Sequence, residues 1–237
     1  MLNYHPTIEL LTDYASGSLA LPYALCIATH LEQCKECREQ VKKLEQVGSF
    51  LFDEINQTDH PSDNMDSLKE ELFKRLNTQS NASTDTLLNK TAVHKDDHTE
   101  LGYKVPNSLQ QFVSEGYDSL NWIRISPSFQ IAILSNEDNG TQVALTRIKA
   151  GSHIPTHTHT GDEFTLVLEG SFSDEKGVYK KGDFIQLDEN DKHKPVVTRD
   201  AECICLTVVE APIQFTGLVT RLLNPILRKV HPYRFAN

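Results

Sequence analysis

Residues Thr29 to Cys37 read Thr-His-Leu-Glu-Gln-Cys-Lys-Glu-Cys, a His-x3-Cys-x2-Cys spacing. At 3.6 residues per turn, His30 and Cys34 fall one helical turn apart on one face. Cys37 is three residues further on, within reach of the same point whether the helix continues or turns. One imidazole and two thiolates then converge, and a fourth ligand would complete the tetrahedron that zinc favours. His5, in the short lead Met1–Pro6, is the candidate fourth ligand. The same two sulfurs suit redox chemistry, so a Cys34–Cys37 disulfide that ejects the metal is a rival or a companion to zinc.

A second constellation stands in the other half of the chain: Gly151-x5-His157-x-His159-x3-Glu163-x6-Gly170, then Gly182, then His193. Residues two apart on a strand point the same way, so His157 and His159 face one side together. Strand pairing can bring Glu163 and His193 to join them. Three imidazoles and a carboxylate suit zinc, manganese, iron, nickel or copper, and ligand type alone does not choose. The bland alternative is a surface His-x-His on an ordinary β-sandwich. His153 falls outside the spacing and reads as non-ligating.

The elements that must position these groups change character along the chain. Pro6-Thr7 opens a helix with Ile8, Leu11 and Ala15 on one face, ended by Gly17 or Ser18. A second helix spans Leu21–Leu31, with Pro22 tolerated in its first turn, and delivers His30. Cys26, one turn before His30, reads as core rather than ligand. A third helix is expected from about Lys35 to Ile55, with Val41, Leu44, Gly48, Leu51 and Ile55 inward and Val47 and Phe50 beside them. Ser62 or Asp63 can cap a fourth, striped by Met65, Leu68, Leu72 and Leu76. Residues 77–100 are rich in Ser, Thr, Asn and Asp and read as a linker, with His94 and His98 solvated.

From Val105 onward short β-like runs follow one another: Asn121–Ile125, Phe129–Leu134, Thr141–Ile148, Glu163–Leu168, Asp183–Leu187 and Ile204–Val209. Cys203 and Cys205 alternate on the last, read first as core and second as an oxidisable pair. Phe215–Val230, broken by Pro225, is a helical tail on the barrel or a dimer contact. The expected class is α+β multidomain: a small all-α zinc-binding domain at 1–77, a linker at 78–100, and an all-β sandwich or barrel with its tail at 101–237.

The 237 residues carry a net charge of −10. Residues 1–100 hold 9 Lys+Arg against 17 Asp+Glu. Direct nucleic-acid binding, which depends on Lys and Arg neutralising phosphates, is not expected. An acidic N-terminal part suits a basic protein partner. Five cysteines are too few and odd in number for a secreted disulfide framework. No apolar run approaches a membrane span of ~18 residues. A cytoplasmic protein is expected.

The spacing of the second constellation resembles the two cupin motifs, with His157, His159, Glu163 and His193 at the four ligand positions. The second motif departs from the family pattern, with Asp188 and Asn190 where cupins commonly have Pro and Gly, and Val197 where an Asn usually follows. The two halves together resemble the ChrR family of zinc-binding anti-sigma factors over nearly the whole chain. The N-terminal likeness is carried by His5, Tyr14–Leu19 and His30-x3-Cys34-x2-Cys37. The C-terminal likeness is carried by Pro155–Glu163 through Gly170, Gly182-Asp183-Phe184, and Ala211-Pro212 leading to Phe215-Thr216-Gly217.

That resemblance implies a helical domain that grips an extracytoplasmic-function (group IV) sigma factor and hides its surfaces for core RNA polymerase. It implies structural zinc at His5, His30, Cys34 and Cys37. It also implies a cupin domain linked to release of sigma under singlet oxygen or related oxidants. A second divalent metal, zinc foremost, is expected in the barrel, with possible homo-oligomerisation through it. No catalytic residue stands out by spacing. The alternative is a metal-dependent cupin dioxygenase or isomerase with a helical accessory domain.

Overall fold

The computed structural model describes residues 2–53, 67, 69–71, 73–74 and 103–232. Helix α1, Ile8–Ser16, starts where the Thr7 hydroxyl accepts the Leu10 N–H and ends at Gly17, whose φ of 74° lies in the left-handed region. That conformation lets the Gly17 N–H return to the Tyr14 carbonyl. Helix α2, Leu21–Gln33, carries Pro22 in its first turn and runs two residues past the expected end. Cys34 breaks it with an extended backbone, φ −110° and ψ 103°, and α3, Lys35–Asp53, begins at the next residue.

Among the described residues, twelve strands follow. They are β1 Ile123–Ser126, β2 Phe129–Asn136, β3 Gln142–Ile148, β4 His157–Thr158, β5 Glu163–Glu169, β6 Ser171–Ser173, β7 Val178–Lys180, β8 Phe184–Leu187, β9 Lys192–His193, β10 Val196–Val197, β11 Cys203–Val209 and β12 Gln214–Phe215. All six expected runs form strands. The six short ones, of two or three residues each, were too brief to leave a period in the sequence. The long strands form one six-stranded sheet, β1-β2-β3-β11-β5-β8, and the short ones form β10-β6-β7 and β12-β4-β9. Every pairing is antiparallel.

The six-stranded sheet is buried on both faces, which explains why β11 reads as a continuous apolar run rather than an alternation. Its Ile204, Leu206 and Val208 pack with Leu145, Leu166 and Leu168 against Leu11, Ile27 and Leu31 of the helices. Its Cys203 and Cys205 face the opposite way, into the barrel with Val167, Phe172 and Leu187. Successive strand residues point to opposite faces, so one strand serves two cores. Ile27 is fully buried, and truncating such a side chain to Ala costs about 2–5 kcal/mol.

The chain divides into two compact units, Met1–Ser49 with Tyr103–Asn237, and Phe50–Gly102. In the second, the described residues 67, 69–71 and 73–74 are helical. The stripe Met65, Leu68, Leu72 and Leu76, Ile55, and most of the proposed linker with His94 and His98 lie outside the described residues. One expectation fails on α3. Val41 is buried and Leu44 half-buried, but Val47, Gly48, Phe50 and Leu51 are exposed, as is Phe52. Helical spacing marks an apolar face, but it does not say that the same chain covers it.

The tail corrects another expectation. Pro225 does not break a helix. It lies in the first turn of α4, Asn224–Val230, where a missing N–H costs nothing. Leu227 of α4 is buried in the barrel core, while Leu218, Val219 and Leu222 just before it are exposed.

Candidate metal centres

The break at Cys34 builds the first centre. It lets α2 supply His30, the break itself supply Cys34, and the first turn of α3 supply Cys37. The lead before α1 brings His5. Its Nδ1 lies 3.4 Å from Cys34 Sγ and 3.3 Å from Cys37 Sγ. His30 Nε2 lies 3.3 Å from Cys37 Sγ. The four ligand atoms all fall within 4.8 Å of one another. A tetrahedral zinc with ordinary bond lengths would space such atoms about 3.3–3.8 Å apart.

The hydrogen atoms point the same way. His30 Nδ1 lies 2.9 Å from the carbonyl oxygen of Gly182, an acceptor only, so Nδ1 carries the proton. Nε2 therefore offers its lone pair to the centre. Burial holds the His30 pKa down to about 4, so the ring is neutral and ready to ligate. Burial and the neighbouring Cys34 push the Cys37 thiol up to about 12. Two sulfurs and two imidazoles in a buried knot call for a cation that stabilises thiolate, and the donor set fits zinc. The Cys37 N–H donates to Cys34 Sγ at 3.4 Å, the kind of support that steadies a thiolate ligand. Cys26 is fully buried in the core beside the sheet and stands apart from this group.

The second centre is made by strand pairing. His157 of β4 and His193 of β9 are direct cross-strand partners. Their Nε2 atoms face each other at 3.0 Å. His157 Nδ1 lies 3.0 Å from the Pro155 carbonyl, and His193 Nδ1 lies 2.9 Å from Asp174 Oδ2. Both Nδ1 atoms therefore carry hydrogen, and two lone pairs confront each other across the gap. A cation between them removes that repulsion. Buried His159 completes the group, and its Nε2 has no hydrogen-bond partner. Facing lone pairs and an orphaned imidazole nitrogen fit a divalent metal bound by imidazole.

Glu163 sits beside this trio rather than inside it. Its Oε2 is 3.1 Å from His159 Nδ1, in ion-pair contact without good hydrogen-bond alignment, and its Oε1 accepts from Thr165 at 2.7 Å. Burial alone would raise the Glu163 carboxyl, but His159, Thr165 and His157 outweigh it and hold it down to about 2. Burial likewise lowers His159, yet Glu163 more than compensates, so its pKa rises. His157 is held at about 4 by burial and by His193. His153 is exposed and pairs only through a backbone bridge with Val196.

An apolar cavity of about 100 Å³ opens onto His157, Glu163 and His193, walled by Phe129, Ile131, Phe172, Ile185 and Leu227. Cys205 also lines it, with its Sγ 3.6 Å from Cys203 Sγ. Cys203 and burial push the Cys205 thiol well up, so it is a poor nucleophile.

Sequence reading missed the residues that hold the ligands. Asp174, on His193, lies in a turn with no motif. The Gly182 carbonyl, on His30, is backbone and carries no residue-type signal.

The family described as the ChrR Cupin-like domain matches residues 110–212. Anti-sigma-E factor ChrR of Cereibacter sphaeroides is 29% identical over 228 residues, 96% of this chain and 99% of that protein. The crystal structure of Rhodobacter sphaeroides SigE in complex with the anti-sigma ChrR matches with a TM-score of 0.66 and 26% identity, covering 88% of this chain and 99% of that one. Two His-rich centres in this order, on helices and then on strands, go with a likeness to anti-sigma-E factor ChrR along nearly the whole chain.

Proposed function

We propose that the chain is a cytoplasmic anti-sigma factor that binds an extracytoplasmic-function sigma factor and releases it under singlet oxygen or a related oxidant. The observation that carries this is the likeness to anti-sigma-E factor ChrR along 96% of the chain, helices and barrel together. A likeness to the barrel alone would fit any cupin. The apolar residues Val47, Phe50, Leu51 and Phe52, exposed on α3, suit a helical partner surface.

His5, His30, Cys34 and Cys37 would hold zinc, which supplies cross-linking of the lead to the α2–α3 break and no open position for a substrate. His157, His159 and His193, with Glu163 as fourth ligand or as the partner that orients His159, would hold a second divalent ion, zinc foremost. The cavity beside it gives a small apolar molecule access to that ion. Neither centre needs a catalytic role in this reading.

Co-expression with a neighbouring sigma factor tests it. The two proteins should co-purify, and Cys34→Ser or Cys37→Ser should abolish the complex. Turnover of a small organic substrate by the barrel, with no sigma partner captured, would replace this reading with a cupin dioxygenase or isomerase, which His157 and His193 at an apolar cavity can also support.

A further inference from the structure

The two centres are joined by a short run of contacts that neither centre needs for its own ligand set. It begins at the barrel. Asp174, with its side chain 1% exposed, accepts a hydrogen bond from the His193 Nδ1–H on Oδ2. Its Oδ1 accepts from the Tyr179 hydroxyl at 3.2 Å and from the N–H groups of Lys176 and Gly177. Burial and Asp174 push the Tyr179 phenol well up, so it remains a donor. One carboxylate thus ties a metal-facing imidazole to the turn between β6 and β7 and to a β7 side chain.

The Tyr179 ring packs on Tyr4 with centroids 4.5 Å apart. Tyr4 also lies against the turn itself, since a Cβ at Gly177 would collide with its hydroxyl. The lead is then stitched to the barrel by its backbone. Asp183 Oδ1 accepts from the N–H groups of Asn3 and Tyr4 at 3.0 and 3.3 Å, and the Phe184 N–H donates to the Tyr4 carbonyl at 3.0 Å. The residue after Tyr4 is His5. The residue before Asp183 is Gly182, whose carbonyl holds His30.

We propose that Tyr4 and Asp174 couple the two centres, so that the state of the barrel histidines sets the affinity of the His5/His30/Cys34/Cys37 centre for its metal. This deepens the anti-sigma reading and rests on it, because both clusters must hold metal. With no ion between them, the barrel imidazoles would no longer be drawn together and His193 would be free to turn. Asp174 would then lose the hydrogen bond it accepts, the β6–β7 turn an anchor, and Tyr4 its seat. His5, adjacent in the chain, shifts against two sulfurs held by the α2–α3 break. Asp174 and Tyr4 are positioning residues that touch neither sulfur nor the opposite metal.

Cobalt(II) tests this in the full-length, metal-free chain, because its thiolate charge-transfer absorption reports only the cysteine-ligated centre. Titrations are run with the barrel site intact and with His159→Ala, which removes a barrel ligand without altering either His193 or Asp174. The ratio of the two dissociation constants at the cysteine centre is the coupling factor. We expect roughly fivefold or more tighter binding with the barrel intact. Tyr4→Leu and Gly177→Ala should each bring the ratio to within about twofold, and Tyr4→Phe, which keeps the ring, should preserve it. A merely structural role would weaken binding equally in both backgrounds and leave the ratio alone.

A wild-type ratio near one, or a ratio that survives Tyr4→Leu, overturns the coupling while leaving two metal centres standing. No thiolate absorption, or only one equivalent bound by the intact chain, overturns the two-metal reading and the coupling with it.

Discussion

The two centres solve one problem in opposite ways. Three of the four ligands at the first lie within eight residues, His30 to Cys37, and a single helix break gathers them. The second draws His157 and His193 together across 36 residues by strand register. The local centre offers two sulfurs, and an ion there would tie the Met1–Pro6 segment to the α2–α3 break. The non-local centre uses nitrogen inside a barrel that already has its own packing. A local centre should therefore fail by losing structure, and a non-local one by losing metal while the scaffold survives.

Chelation is the strongest way to break that comparison. Removing metal from both centres should unfold the lead and the α2–α3 break while the strands persist. Apparent zinc-binding energies of about 10–16 kcal/mol in small zinc-folded units set the scale. Hydrogen exchange measured segment by segment checks it, with protection lost over 2–37 and kept over β3, β5 and β11. Equal loss in both regions would erase the distinction.

A backbone substitution probes the barrel without touching either metal. Gly170 has a φ of 73°, and a Cβ there would collide with the Glu202 carbonyl. Gly170→Ala should cost about 3 kcal/mol in urea unfolding, since strain and collision act together. Next in size is Asp174→Asn, which weakens the acceptor behind His193. Metal affinity at the barrel should fall by about 10–100-fold, as for other outer-shell partners of metal-bound histidine, with one metal still retained at the cysteine centre by elemental analysis.

Acid sharpens the comparison further. His30 and His157 are each held at about 4 in the fold, below an ordinary histidine pKa of about 6.5. Between those values the unfolded chain binds protons that the folded metal-free chain refuses. Stability contributed by these rings is fully present above about pH 6.5 and is lost as pH falls toward 4. Thermal unfolding of metal-free protein, in which the barrel persists, should show the His157 part of that slope at stepped pH, shallower in His157→Gln. The smallest effect is expected at Tyr23, whose hydroxyl donates to Glu210 Oε1 at 2.6 Å and ties α2 to the barrel. Tyr23→Phe should cost about 1 kcal/mol in the same measurement.

How much was legible follows the same division. His30, Cys34 and Cys37 announce themselves because helical periodicity is a property of neighbouring residues. His157 and His159 announce themselves by alternation, and the two centres stand together as a recognisable ChrR pattern. The long strands β2, β3, β5 and β11 were legible because each carries four or more apolar residues between turn signals. The role of Asp174 was not, because an Asp in a turn looks like any other. Nor was the bare outer half of α3, because a stripe of Val47, Phe50 and Leu51 reads the same whether covered or open. Pro225 misled in the opposite direction, since its meaning depends on whether it stands inside a helix or in its first turn.

The hydrogen bond from His30 to Gly182 has a consequence in time. The two residues are 152 positions apart. At translation rates of about 5–20 residues per second, on the order of ten seconds separate their synthesis. The opening stretch of the polypeptide therefore leaves the ribosome without the carbonyl that fixes its imidazole, and must wait, thiols unguarded, for the barrel to arrive. Maturation of the His5–Cys37 segment is set by a later one, so a nascent chain stalled before residue 182 should take up zinc poorly although the four residues that would hold it have already been made.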